Sequence, residues 1–258
     1  MITSTSNPQV KNLILLGKKS KARRELGVFL AEGRKMFEEA PKDWIQKVYV
    51  AESFLAQEQQ ENSLNGVDYE VLSDHVFKAA SDTQTPQGIL TVLSIPQWNL
   101  EETLHASQGS YLFLESIQDP GNLGTMLRTG EGAGITAVIA NKTTVDLYNP
   151  KTIRSTMGSI YRVPFFVAED FADVIVQMKN QGVKMYAAHL QGSVPYDEPD
   201  YTGASGFLIG NEGNGLTEET TALADAYIRI PMEGKVESLN AAIAATILMY
   251  EVNRQRRG

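Results

Sequence analysis

The chain of 258 residues has no cysteine, three histidines and no apolar run approaching the roughly 20 residues that span a bilayer. Without cysteine there is no disulfide, no thiolate nucleophile and no cysteine-ligated zinc. His75, His105 and His189 stand far apart, without metal-ligand spacing and without a His-Glu-x-x-His motif. Apolar stretches such as Leu13–Leu16 and Ala241–Ala245 are short, and the polar start, Met1 to Gln9, lacks the apolar core of a signal peptide. A Gly-x-Ser-x-Gly elbow, a P-loop and a dinucleotide fingerprint are also missing. These absences lead to the expectation of a cytoplasmic protein with no metal and no membrane partner.

What is present is an uneven distribution of charge. The net charge is −8, which by itself argues against a nucleic-acid partner. Residues 1–35, however, hold eight Lys or Arg against Glu25 and Glu32, a surplus of six, so the rest of the chain carries −14. Local potential, not total charge, attracts phosphate. On charge alone a solvated, lysine-rich helix face remains the simpler reading.

The order of elements divides the chain in two. Up to about Ser94, helix signals at Pro8–Glu25, Gly33–Ala40 and Asp74–Ala80 alternate with strand signals at Val28–Ala31, Val48–Ala51, Tyr69–Leu72 and Gly88–Ser94. A polar loop spans Gln57–Gly66. This pattern predicts a small α/β domain over residues 1–95, joined by a linker over 96–108 to a second domain over 109–258. The second domain opens with the apolar strand Tyr111–Glu115, a loop, a helix from about Leu123 to Gly132, and the strand Ala137–Ala140. Such a βαβ unit implies a parallel sheet. Further strands are expected at Arg162–Phe166, Lys184–Leu190, Gly206–Ile209 and Tyr227–Ile230. Helices are expected at Val145–Gly158, Phe171–Gln181 and Thr217–Ala224. A last helix, from about Leu239 to Arg256, repeats Leu239, Ile243, Ile247 and Tyr250 at helical spacing, which predicts one buried stripe.

Ligands of open α/β sheets bind beyond the carboxyl ends of the strands, and three loops there have unusual composition. The first, Asp119–Thr129 (DPGNLGTMLRT), offers Asn122 as a helix cap and Arg128, nearly two turns on, as a fork for phosphate or hydroxyl from the same helix face. The second, Gly210–Leu216 (GNEGNGL), sets Glu212 among glycines that expose backbone N–H groups. The third, Ile230–Asn240 (IPMEGKVESLN), offers Ser238 as an N-cap and leaves Asn240, a poor helix former, in the first turn.

In order and internal spacing these loops resemble the three signature motifs of the SpoU/TrmH family of RNA 2′-O-ribose methyltransferases. Lys151–Ser159 (KTIRSTMGS) is similar to the family's segment between the first two motifs. Ala31–Gly33 and Ser81–Gly88 (SDTQTPQG) are similar to the small RNA-binding domain of many members. The resemblance implies an α/β fold: a C-terminal parallel-sheet domain tied in a deep trefoil knot, plus a small N-terminal α/β RNA-binding domain. It also implies S-adenosylmethionine as cofactor, a homodimer, and structured RNA as substrate, ribosomal RNA before transfer RNA. Carried onto this chain, Leu190, Gly210, Asn211, Ile230, Met232 and Leu239 are the cofactor contacts. Asn122, Arg128, Glu212, Ser238 and Asn240 take the catalytic and RNA-handling positions. Lys18, Lys19, Lys21, Arg23, Arg24, Arg34 and Arg154 are expected to meet RNA. A non-catalytic RNA-binding module of the same fold and an unrelated nucleotide enzyme are the alternatives. The intact set of polar residues argues against the first, and the missing nucleotide fingerprints against the second.

Overall fold

The computed structural model describes residues 1–58, 64, 66–104, 108–189 and 194–257. Most of the expected Gln57–Gly66 loop, His105 and Leu190 lie outside the described residues. The chain forms two compact units. The first comprises Met1–Gln97 and Asp146–Tyr161, the second Trp98–Val145 and Arg162–Gly258.

The first unit is built on a four-stranded sheet of β1 (Val28–Glu32), β2 (Ile45–Ala51), β3 (Tyr69–Leu72) and β4 (Ile89–Ser94), in the order β1-β4-β2-β3. β4 runs antiparallel to both its neighbours, while β2 and β3 are parallel. Leu13, Leu16, Val48, Val50, Phe77 and Ile89 meet in its core. The single helix expected over Pro8–Glu25 is two, Pro8–Lys18 and Ser20–Leu26. Lys19 breaks it with extended backbone at φ −122° and ψ 109°. The break lets Arg23 turn inward, where it is 3% exposed. Its guanidinium donates to the Leu16 carbonyl and pairs with Asp146, each at 2.5 Å. The helix expected over Val145–Gly158 is confined to Pro150–Thr156. Pro150 forces Asn149 into extended backbone, and the Asn149 side chain caps Lys151 N–H, so no helix can precede it. This segment belongs to the first unit, where Tyr161 donates its hydroxyl to the Met36 carbonyl at 2.8 Å.

The second unit is a seven-stranded, wholly parallel sheet. Its strands are β5 (Ser110–Leu114), β6 (Ala137–Ala140), β7 (Phe165–Val167), β8 (Lys184–Ala188), β9 (Val194–Pro195), β10 (Ser205–Ile209) and β11 (Ala226–Arg229). The order is β7-β6-β5-β10-β8-β11-β9. Parallel strands covered on both faces need apolar residues at every position, and β5, β6 and β10 are buried throughout. Tyr111, Phe113, Ile139, Met185 and Leu208 face the helix Phe171–Asn180 through Val174, Ile175 and Met178. The helices Pro120–Ala133 and Ala241–Arg256 pack against each other, and the latter also meets β5 and β10. A Cβ at Gly130 or Gly132 of the first would meet the last helix, 3.4 Å from the Met249 sulfur and 3.0 Å from the Tyr250 hydroxyl.

The buried stripe of the last helix is not the expected one. Ala242, Ala245, Leu248, Met249 and Val252 are buried, while Ile243 and Tyr250 are 49% and 45% exposed. Ala242 and Ala245 let the helices approach on a face shared with Leu248, Met249 and Val252, and Ile243 and Tyr250 are turned outward.

Candidate active site

β5 to β7 are laid down in one direction across the sheet, and the chain then returns to place β10 on the other side of β5. That reversal is the switch point at which open α/β sheets bind ligands. The loop after β5 and the loop after β10 meet there, and the N-terminus of the last helix joins them.

The helix carrying Asn122 starts earlier than the sequence suggested. Pro120 takes its first turn and Asp119, not Asn122, is the cap, accepting Asn122 N–H at 2.8 Å. The Asn122 side chain is thereby released for other partners. Likewise Asn240, not Ser238, caps the last helix, which begins at Ala241; its Oδ1 accepts Ala242 N–H at 2.9 Å and Ile243 N–H at 3.3 Å. A poor helix interior residue is here a good cap.

The three residues form one line. Asn240 Nδ2 donates to Asn122 Oδ1 at 3.0 Å, and Asn122 Nδ2 donates to Glu212 Oε1 at 2.9 Å. The direction of the line is fixed at both ends: a carboxylate only accepts, and helix N–H groups only donate. Glu212 also accepts Gln118 N–H at 3.1 Å and Asp119 N–H at 3.2 Å. Partial burial would raise its carboxyl pKa, but the hydrogen bonds from Asn122 and from backbone N–H groups of Glu212, Gln118 and Asp119 outweigh it. The group sits below the ordinary carboxylate value. Each asparagine retains one amide hydrogen beyond this line.

Arg128 and Ser238 are exposed, and their side chains make no hydrogen bond or ion pair among the described residues. Six residues of helix turn about 600°, leaving Arg128 and Asn122 about 120° apart around the axis rather than on one face. The guanidinium projects to solvent, open to an incoming anion.

The cofactor candidates follow nearby strands. Gly210 follows β10 and Ile230 follows β11, with β8 between those two strands. Among the described residues, the backbone groups of Gly210, Ile230, Met232 and Leu239 make no hydrogen bond. Open donors and acceptors beside half-buried Ile230, Met232 and Leu239 suit an adenosine group, with its polar edge and flat apolar face. Asn211 is different. Its N–H and carbonyl pair with Gly215 at 3.0 and 2.9 Å, and its side chain serves Ser116, Gly213 and Asn214. It shapes the loop.

Of the expected RNA contacts, Lys18, Lys19, Lys21 and Arg24 are exposed on the first unit. Arg34 lies over the Phe54 ring, 5.3 Å from its centroid, and Arg154 pairs with Asp82 at 3.2 Å. Arg23 must be removed from this group, because it is buried and engaged within the unit. Residues that the sequence reading missed are Asp119, Glu115, Ser116 and Asn141. Asp119 ahead of Pro120 was a legible cap-and-first-turn signature; the other three carry no local signal.

Comparison with known proteins places the whole chain among relatives of one family. Residues 109–250 match the SpoU rRNA Methylase family, and residues 7–91 match the MRM3-like substrate binding domain. The 23S rRNA (guanosine(2553)-2′-O)-methyltransferase RlmP of Bacillus subtilis is 35% identical, over 97% of this chain and 98% of that protein. An AdoMet-bound rRNA methyltransferase from Sinorhizobium meliloti superposes with a TM-score of 0.84 at 30% identity, covering 98% of this chain and 97% of that one. A crystal structure of an RNA 2′-O ribose methyltransferase gives 0.85 at 30% identity, covering 100% and 99%. Fold and site together define a methyltransferase domain joined to a substrate-binding domain. The chain belongs to the SpoU rRNA methylase family.

Proposed function

We propose that the line Glu212–Asn122–Asn240 and the exposed Arg128 align a ribose 2′-hydroxyl of ribosomal RNA for methylation. The chain is an S-adenosylmethionine-dependent rRNA 2′-O-methyltransferase. When bound, S-adenosylmethionine supplies an activated methyl group on its sulfonium, so the protein's work is alignment and help with loss of one proton. Arg128 forks onto the neighbouring phosphate and polarises the hydroxyl. A guanidinium holds its proton tightly and is a poor base. The spare amide hydrogens of Asn122 and Asn240 hold the ribose oxygen. Glu212, kept ionised by its donors, locks Asn122, and Ser238 lies beside the RNA strand. Gly210, Ile230, Met232 and Leu239, with Leu190, hold the cofactor through backbone groups. The observation that carries this reading is the hydrogen-bonded line itself, which joins residues 90 and 118 positions apart.

Residues 1–95 act in this reading as the RNA substrate-binding domain, through Lys18, Lys19, Lys21, Arg24 and Arg34, and Arg154 joins them from the Asp146–Tyr161 segment of the same unit. Residues 96–108 are the linker and 109–258 the methyltransferase domain, closed by a trefoil knot. The exposed Ile243 and Tyr250 suit a homodimer face. The protein works in the cytoplasm on a guanosine of 23S rRNA, the substrate printed in the name of its Bacillus relative.

Transfer of radiolabelled methyl to total RNA from cells lacking this enzyme tests the reading. Alkali-resistant label at a single 23S site is expected. Label in transfer RNA would overturn the substrate, and no label with cofactor bound would overturn the activity. Arg128→Lys is expected to lower turnover at least about tenfold, because an ammonium cannot fork.

A further inference from the structure

The Gly210–Leu216 loop is closed by its own backbone pairs between Asn211 and Gly215. Both of its feet rest on two consecutive residues at the end of β5. At the near foot, Asn211 Nδ2 donates to the Ser116 carbonyl at 2.8 Å. At the far foot, Thr217 N–H and the Thr217 hydroxyl each donate to Glu115 at 2.8 Å, and the Thr220 hydroxyl donates as well.

Glu115 is 7% exposed. A carboxylate so buried is tolerated only where donors meet it. Here three do, and all come from the segment immediately after the loop. The short helix Glu218–Ala222 does not require this charge, since Thr217 already caps it through Thr220 N–H. Ser116 is equally constrained. Its φ of +58° is unfavourable for serine. The backbone is held there by Asn141 Oδ1, which accepts Ser116 N–H at 2.9 Å, and by Thr143 at the hydroxyl.

We propose that Glu115 is a positioning residue for methyl transfer. Its carboxylate fixes the far foot of the loop while the Ser116 carbonyl fixes the near one, and together they set where Glu212 stands against Asn122. Glu115 touches no reacting atom. The proposal rests on the reading that Glu212, Asn122 and Asn240 handle the ribose.

A double-mutant cycle on the full chain tests it, with kcat, KM for RNA and S-adenosylmethionine affinity measured for each variant. Glu115→Ala is expected to lower kcat about tenfold or more with KM for RNA within about twofold, because small misplacements of aligning groups are severe. Glu115→Gln should recover kcat to within about threefold of the parent: its amide oxygen can accept Thr217 N–H while its NH2 faces the two hydroxyls. In a Glu212→Ala background, Glu115→Ala should change kcat by less than about twofold, since residues acting as a unit are not additive. A full additional loss in that background, or parental kcat for Glu115→Ala, would overturn the role of Glu115 alone. An unchanged Glu212→Ala variant would overturn the reading of the site as well. Should Glu115→Ala not fold, Thr220→Val removes one of the three donors. It is expected to lower kcat about threefold with the same dependence on Glu212, and an additive loss there would again refute the proposal.

Discussion

Each unit carries a buried carboxylate at the end of a strand, and both use it to gather a polar loop. In the first unit Glu32 closes β1 and accepts the Ser81 hydroxyl at 2.7 Å, the Thr83 hydroxyl at 3.1 Å and Gln87 N–H at 3.0 Å. In the second, Glu115 follows β5 and gathers Thr217 and Thr220 in the same manner. A loop without an apolar core gains rigidity this way, because a desolvated carboxylate penalises every conformation that leaves it unmet. The difference lies in what is displayed. The Glu32 loop presents neutral Thr83, Gln84, Thr85 and Gln87 beside Asp82, a carboxylate taken up by Arg154, whereas the loop held by Glu115 presents Glu212, a carboxylate that holds Asn122. On the proposed reading, one device thus serves recognition in one unit and alignment in the other.

The largest break in this comparison is expected from Gly210→Ala. A Cβ there would stand 2.1 Å from the Gly215 backbone carbon, so the loop cannot close. Methyl transfer measured with saturating RNA should fall at least about 100-fold. The counterpart in the first unit, Gly33→Ala, strains a residue at φ +113° and crowds Gln87. It should weaken RNA binding and leave S-adenosylmethionine affinity unchanged in a calorimetric titration. Next in size is Arg23→Met. Breaking an ion pair whose arginine is 4% exposed, against an aspartate 25% exposed, should lower stability by about 3 kcal/mol. Trp44 lies in the first unit and Trp98 in the second. Denaturation of a Trp98→Phe variant followed by fluorescence therefore reports the first unit alone.

A smaller effect is expected from Glu32→Ala: RNA affinity lower by about tenfold, read by filter binding at fixed salt, with cofactor affinity retained. A parallel loss of cofactor binding would show that the two carboxylates are not separate devices. The mildest test is pH. The folded pKa of Glu212 is depressed, so its hold on Asn122 is complete above the ordinary carboxylate range and is lost as pH falls through the depressed value. The acid limb of kcat should thus lie below that of an ordinary glutamate, and Glu212→Gln should remove it.

Most of the second unit could be read from sequence, because its strands are apolar runs bounded by turns and its loops fall at strand ends. The reading failed where residue identity has two physical meanings. By sequence Asn240 is a misfit in a helix; in the fold it is the cap. Asn122 is a cap by sequence and is freed by Asp119 in the fold. Ile243 and Tyr250 fit a helical stripe, but the alanines beside them are the packed face. Arg23 fits a basic cluster by position, yet the break at Lys19 turns it inward. Ser116 gives no signal at all, since its left-handed backbone is imposed by Asn141, 25 residues away. The three motifs were legible as composition; the line joining them is a property of the sheet order.

That line also bears on when the enzyme becomes active during its own synthesis. Asn122 and Glu212 leave the ribosome well before Asn240, and Asn240 is oriented only by N–H groups of the helix that follows it. A nascent chain that lacks this helix can fold its first unit and most of its sheet, yet it has no ordered amide to complete the site. Domains form as they emerge, so the first unit, complete once Tyr161 is out, precedes the last helix. On the proposed reading, the line that aligns the ribose is completed only once the last helix has formed and oriented Asn240.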